Sequence, residues 1–93
     1  MAWENAVDII ATRHAATALY LQGLFPEAEI KPEVRSEDLR GKVVVGTLPI
    51  NLVARCAIYG HVYFKVKPPR NCKLNELQRY EPSIAWYTVK RIM

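Results

Sequence analysis

Lys42-Val43-Val44-Val45-Gly46-Thr47-Leu48-Pro49-Ile50-Asn51-Leu52-Val53-Ala54 is the segment from which the architecture can be read. Successive valines leave no polar face, so this stretch predicts a strand covered on both sides, as in the centre of a parallel sheet. Gly-Thr and a proline then turn the chain into a helical pattern, predicted from about Leu48 to Tyr59 and ended by Gly60. The first N–H groups of a helix lack intrahelical partners and carry partial positive charge, so a strand-to-helix corner readily holds a phosphate. The same layout occurs earlier, where Val7-Asp8-Ile9-Ile10-Ala11 leads through Thr12-Arg13-His14 into an alanine-rich segment from Ala15. Two such corners, one bearing Arg and His, point to a site for a phosphate-bearing ligand.

Working outward, the first strand is predicted over Val7–Ala11 and a helix over Ala15–Gly23, with Gly23 as its stop and Pro26 barring continuation. Ala28–Val34 reads as a poor strand interrupted by Pro32, which suits a sheet edge. Ser36–Gly41 reads as a polar turn with one turn of helix. His61–Val66 alternates strictly and sends Val62, Phe64 and Val66 to one face. After Pro68-Pro69, Leu74–Tyr80 reads as a short helix and Ile84–Ile92 as the last strand. This order predicts an α/β, small Rossmann-like three-layer fold with a mostly parallel sheet, the first, third and fourth strands running parallel. Residues 1–93 form one domain. In such sheets ligands collect beyond the carboxyl ends of the strands. Thr12-Arg13-His14, Gly46-Thr47-Leu48-Pro49 and Lys67-Pro68-Pro69-Arg70 are therefore predicted to meet there, with His61 at the opposite end as a structural residue.

A hydrophobic share of 51% with 24% charged residues is that of a soluble globular protein. No apolar run approaches the roughly 18 residues that cross a bilayer. Met1–Asn5 lacks the basic start of a signal peptide, so the cytoplasm is the expected location. Cys56, on the predicted helix, reads as a buried reduced thiol, and neither it nor Cys72 has metal-ligand spacing. No metal or cofactor is expected. The net charge of +4 favours an anionic partner, but the basic residues are too dispersed for a long nucleic-acid groove. Trp3, Tyr20, Trp86 and Tyr87 read as core or interface residues rather than stacking platforms.

The T-R-H triplet after the opening strand, followed by V-V-G-T-L-P-x-N-L-x-A ahead of a helix, resembles the CRISPR-associated Csx-sixteen family, found beside type III CRISPR systems. The resemblance runs from about Val7 to Val89. The downstream basic loop, an L-x-E-L helix and a final strand follow in the same order. Ala15-Ala16, the Pro-Pro-Arg loop and Cys72 are particular to this chain. The resemblance implies a CARF-like ring nuclease, which cuts cyclic oligoadenylate second messengers, above all cyclic tetra-adenylate, and switches off the antiviral response. It also implies a homodimer and cleavage without a metal. A sensor or sponge that binds the ring and returns it intact is the alternative.

An RNA phosphodiester can be cut by its own 2′-hydroxyl, leaving a 2′,3′-cyclic phosphate, provided the protein aligns the attack and stabilises the developing charge. Arg13 suits the phosphate through paired charge-assisted hydrogen bonds, and His14 suits acid–base work. Thr12, Gly46, Thr47 and Leu48, with Asn51, Lys67 and Arg70, make up the expected ligand-binding set. Each has a plainer reading. Arg13 also fits a surface position at a helix start, His14 a capping or packing histidine, and Thr47 an N-cap. Asn51 and Arg55 also fit a solvated helix stripe. Arg13-His14 also faintly resembles the R-H-G motif of histidine phosphatases, with Ala15 in place of the glycine.

Overall fold

The structure, a computed structural model, describes residues 6–92. Trp3 and the Met1–Asn5 segment lie outside the described residues. Along the chain the elements are β1 (Ile9–Ala11), α1 (Ala15–Leu24), β2 (Glu29–Ile30), α2 (Ser36–Leu39), β3 (Val43–Gly46), α3 (Ile50–Val53), β4 (Ile58–Phe64), a 3-10 helix (Leu74–Tyr80) and β5 (Pro82–Tyr87). They build one five-stranded sheet in the order β2-β1-β3-β4-β5. Every neighbouring pair is parallel except β4 with β5. The fold is thus a small Rossmann-like α/β fold.

Alternation along the strands sorts the core into two layers. Ile10 and Val45 pack with Ala18 and Leu21 of α1 on one face. Ile9, Ala11 and Val44 pack on the other with Leu39 of α2 and Val53 of α3. Ile10, Val44 and Val45 expose no surface, so the valine run is covered on both faces as its sequence requires. The 3-10 helix lies against α1 through Leu77, Cys72 and Ala16. Among the described residues no helix is long and apolar enough to cross a membrane.

β1 and β3 approach each other tightly at their carboxyl ends. A Cβ at Gly46 would sit 2.0 Å from the Ala11 carbonyl oxygen, so this position admits only glycine. The Thr47 N–H donates to that same oxygen at 3.0 Å. At the other end, Asp8 fastens Val43 twice. Its N–H donates to the Val43 carbonyl at 2.8 Å, and its carboxylate accepts from the Val43 N–H at 2.9 Å.

Several boundaries differ from the sequence reading. The helix predicted over Leu48–Tyr59 is a single turn, Ile50–Val53, and the chain has re-entered the sheet by Ile58. The continuous apolar run fits a buried helix and a buried strand equally well, and the open flank of β3 is satisfied only by the strand. Cys56 therefore lies in the turn, bridged to Arg40, and is buried there with a free thiol. Gly60 ends no helix. It sits inside β4, where a Cβ would come within 2.6 Å of the Trp86 ring. That ring also packs edge-on against Phe25, with centroids 6.0 Å apart. Gly23 likewise lies inside α1, which closes with the Phe25 N–H on the Leu21 carbonyl. Pro26 is the stop, because the residue before a proline disfavours helical geometry. β5 starts earlier and ends earlier than the predicted Ile84–Ile92, and β2 keeps only Glu29–Ile30 of its predicted span.

His61 is the largest relocation. It pairs in register with Gly46, which places it at the carboxyl end of β3 rather than at the opposite end of the sheet.

The glycines separate two effects in a denaturant titration. Gly46→Ala is expected to destabilise by about 1–3 kcal/mol, because the new methyl group must push β1 from β3. Gly23→Ala meets nothing within 4 Å and lies in a helix interior. It is expected to stabilise by about 0.5–1 kcal/mol.

Candidate functional site

The strand order reverses between β1 and β3, since β2 lies on one side of β1 and the returning chain on the other. A cleft of about 580 Å³ opens at their carboxyl ends. Thr12 and Arg13 supply one wall, Thr47, Leu48 and Pro49 a second, and the loop Pro32–Arg35 with Asp38 a third. This is the crevice in which open α/β sheets take ligands.

Hydroxyl chemistry joins the two strand ends. Thr47 Oγ1 donates to Thr12 Oγ1 at 3.0 Å, and the His14 N–H reaches the same oxygen at 3.3 Å. Thr12 is buried, and with both acceptor positions used its own O–H is left to offer a ligand. Arg13 is exposed at the rim and meets Glu33 at 3.4 Å. Such an exposed pair contributes little to stability, so a phosphate can replace Glu33 at small cost. Asp38 accepts the Arg35 N–H at 2.9 Å and holds the third wall in shape. The cleft therefore carries Arg13 and Arg35 against Glu33 and Asp38, a local balance of charge.

Tyr59 fixes the corner that forms the second wall. Its hydroxyl donates to the Gly46 carbonyl at 2.8 Å and accepts from the Leu48 N–H at 2.7 Å. His61 Nδ1 completes the set at 3.0 Å and, as its N–H tautomer, donates to the same oxygen. Burial pushes the Tyr59 phenol up to about 12, against the opposing pull of the Leu48 N–H. Burial likewise raises the neighbouring Cys56 thiol to about 11.

These bonds change the expected phosphate cradle. The Thr47 N–H is spent on Ala11 and the Leu48 N–H on Tyr59, so neither is open to a ligand. What the β3 corner presents to the cleft is the Thr47 hydroxyl and the Leu48 and Pro49 side chains. Gly46 is buried beneath it as the residue that allows the close approach.

His14 is the N-cap of α1. Its Nδ1 accepts from the Thr17 N–H at 3.3 Å and meets the Thr17 hydroxyl at 2.7 Å. Its Nε2 lies 3.2 Å from the Pro69 carbonyl. Capping at Nδ1 assigns the proton to Nε2, and the imidazole ties the basic loop to α1 rather than lining the cleft. The structure thus brings Thr12, Arg13, Thr47 and Leu48 together. Lys67 and Arg70 are exposed on the loop beside His14, and Asn51 faces a separate trough beyond α3. Among the described residues no group of three His, Cys, Asp or Glu side chains comes together as a metal-binding set.

Sequence reading missed Tyr59 and the third wall. Extending the His61–Val66 alternation backwards puts Tyr59 and His61 on one face, and that signal was present. The place of Pro32–Arg35 depends on how α2 packs and has no local signal. Comparison of the chain with family models, curated proteins and solved structures gives no match.

Tyr59→Phe is expected to cost about 1–3 kcal/mol in chemical denaturation, because the Leu48 N–H and the Gly46 carbonyl lose their buried partner. The pH dependence has a definite sign. Tyr59 and Cys56 are harder to ionise in the fold than at their ordinary values of 10.0 and 9.0. Their contribution is complete below those values and is lost as pH rises through about 11 and about 12. Thermal melts should therefore fall progressively across this alkaline window, and less steeply in Tyr59→Phe.

Proposed function

We propose that the chain binds cyclic oligoadenylate, above all cyclic tetra-adenylate, in the cleft at the ends of β1 and β3. There it cleaves the ring as a CRISPR-associated ring nuclease of the Csx-sixteen kind, within type III antiviral signalling. The observation that carries this reading is the meeting of Thr12 and Arg13 with Thr47 across the switch point of the sheet. These residues belong to the two sequence motifs on which the family resemblance rests. A parallel sheet with a polar crevice at its switch point suits a phosphate-bearing ligand.

In this reading Arg13 leaves Glu33 and grips a ring phosphate through charge-assisted hydrogen bonds. The paired hydroxyls of Thr12 and Thr47 hold a second polar group. The ligand's own 2′-oxygen attacks the adjacent phosphorus, the 5′-oxygen leaves, and the product ends in a 2′,3′-cyclic phosphate. No metal takes part. Arg13 opposes the charge that grows on the phosphate oxygens, which is where fixed positive charge accelerates such a step. A ring with repeated phosphates is better enclosed by two copies of one surface, and a two-fold axis matches an even-membered ring, so the active form is a homodimer.

One observation favours the non-catalytic alternative. Both ring nitrogens of His14 are engaged within the fold, so acid–base work requires the Pro69 contact to open. A binder that lacks this step would sequester the messenger unchanged.

Incubation with cyclic tri-, tetra- and hexa-adenylate in excess EDTA, followed by mass analysis, tests both readings. Linear products with 2′,3′-cyclic phosphate ends are expected. Tight binding with the ring recovered intact would make the protein a sponge, and no binding would remove the ring as its ligand.

Arg13→Ala is expected to weaken binding and turnover together by about ten- to a hundred-fold, the loss of one charge-assisted contact worth roughly 1.5–3 kcal/mol. His14→Asn keeps a capping side chain for Thr17 while removing the imidazole. Single-turnover cleavage about a hundred-fold slower at unchanged affinity would assign His14 to proton transfer. A wild-type rate would leave catalysis to Arg13 and the threonine hydroxyls.

A further inference from the structure

Behind the Gly46–Pro49 corner, on the side away from the cleft, a groove of about 320 Å³ runs between α3 and the end of β5. Leu48, Ile50, Tyr87 and Val89 form its walls, and Tyr59 and His61 its floor. The lining is apolar apart from the Tyr59 and Tyr87 hydroxyls and the His61 imidazole. The Tyr59 hydroxyl is consumed by Gly46 and Leu48. His61 spends Nδ1 on Tyr59, which leaves Nε2 as the ring nitrogen without a hydrogen bond among the described residues. Ile50 is 69% exposed and Tyr87 51%, more than a closed core edge would leave open.

The groove continues past Ile50 and Val89, which line both spaces, into a trough of about 430 Å³. Asn51, Arg55 and Lys90 line the trough, with Arg91 beside them. Arg55 and Lys90 are exposed and form no ion pair among the described residues. Among the described residues no carboxylate lines the groove or the trough. The contrast with the cleft is sharp, since there Glu33 and Asp38 offset the arginines.

We propose that groove and trough together form a second ligand site, one for a nucleotide. The planar base lies in the groove between Tyr87 and His61, with Nε2 at its polar edge. The phosphate lies in the trough against Arg55 and Lys90. A free phosphate would leave the apolar groove unused, and an aliphatic anion would leave His61 Nε2 without a partner. A flat heteroaromatic ring joined to an anion uses both spaces, in the pattern of an apolar pocket with few placed polar groups. A second copy of the chain fits less well. A two-fold contact on this patch would set Arg55 and Lys90 of the two copies against each other. The site is independent of the cleft and of any reaction there.

The test is titration calorimetry of the full chain with AMP, adenosine and inorganic phosphate, together with the His61 ring resonances. AMP is expected to bind at least about tenfold more tightly than adenosine or phosphate and to shift those resonances. Arg55→Ala with Lys90→Ala, both at exposed positions, should lower AMP affinity about tenfold or more and bring it near that of adenosine. Arg13→Ala should leave AMP affinity unchanged. Equal affinity for AMP and phosphate would overturn the proposal. So would AMP binding that disappears in Arg13→Ala and survives the double substitution, which would place the nucleotide in the cleft. Self-association by sedimentation, abolished by Ile50→Ser, with no AMP binding would give the groove to a second copy instead.

Discussion

The approach of β1 to β3 at Ala11 and Gly46 is the contact on which the site depends. The missing side chain at Gly46 lets the Ala11 carbonyl come close enough to receive the Thr47 N–H. That bond sets the spacing at which the Thr47 and Thr12 hydroxyls meet. It also fixes where the chain leaves β3, and so where Leu48 and Pro49 stand. Tyr59 reinforces the arrangement from beneath, gripping the two sides of the turn with one oxygen. A single buried phenol thus satisfies a backbone N–H ahead of α3 that the helix itself leaves without a partner. The result is a fixed corner in which the Thr47 and Leu48 N–H groups and the Gly46 carbonyl are already satisfied.

Much of this was legible in the residues. Val43–Val45 and Ile9–Ala11 have no polar face, and both became strands buried on two sides. Thr12, Arg13 and Thr47 were placed in one crevice from strand order alone, and the cleft contains them. The segment from Leu48 to Tyr59 was not legible, because continuous apolarity carries no period to separate helix from strand. That one ambiguity misplaced Gly60, Cys56 and His61 together, since each was read relative to a helix that stops at Val53. The third wall was hidden for another reason. Pro32–Arg35 reaches the cleft through the packing of α2 beneath it, a long-range outcome that no neighbouring residue encodes.

Electrostatics divides the surface more sharply than the overall charge suggests. The net +4 is spread along the sequence, yet its arrangement is uneven. Beside the cleft, arginines stand among carboxylates, so an incoming anion exchanges one partner for another. Behind the corner, Arg55 and Lys90 have no such competition among the described residues. An anion at the second place would therefore be the more sensitive to ionic strength, since exposed charges are screened by solvent ions. Leu48 forms part of both walls, which makes it the shared boundary between two surfaces of different character.

The bond between Thr47 and Thr12 spans 35 positions of sequence, and this has a consequence for how the protein comes into being. Contacts between distant residues repay their loop-closure entropy only after the intervening chain has been ordered. A chain emerging from synthesis as far as α2 already carries Arg13 at the end of its first strand. It lacks the wall that β3 supplies, the Thr47 partner of the Thr12 hydroxyl, and a neighbour on the open side of β1. The crevice is born late, when β3 closes against β1, and until then the arginine is an ordinary surface cation.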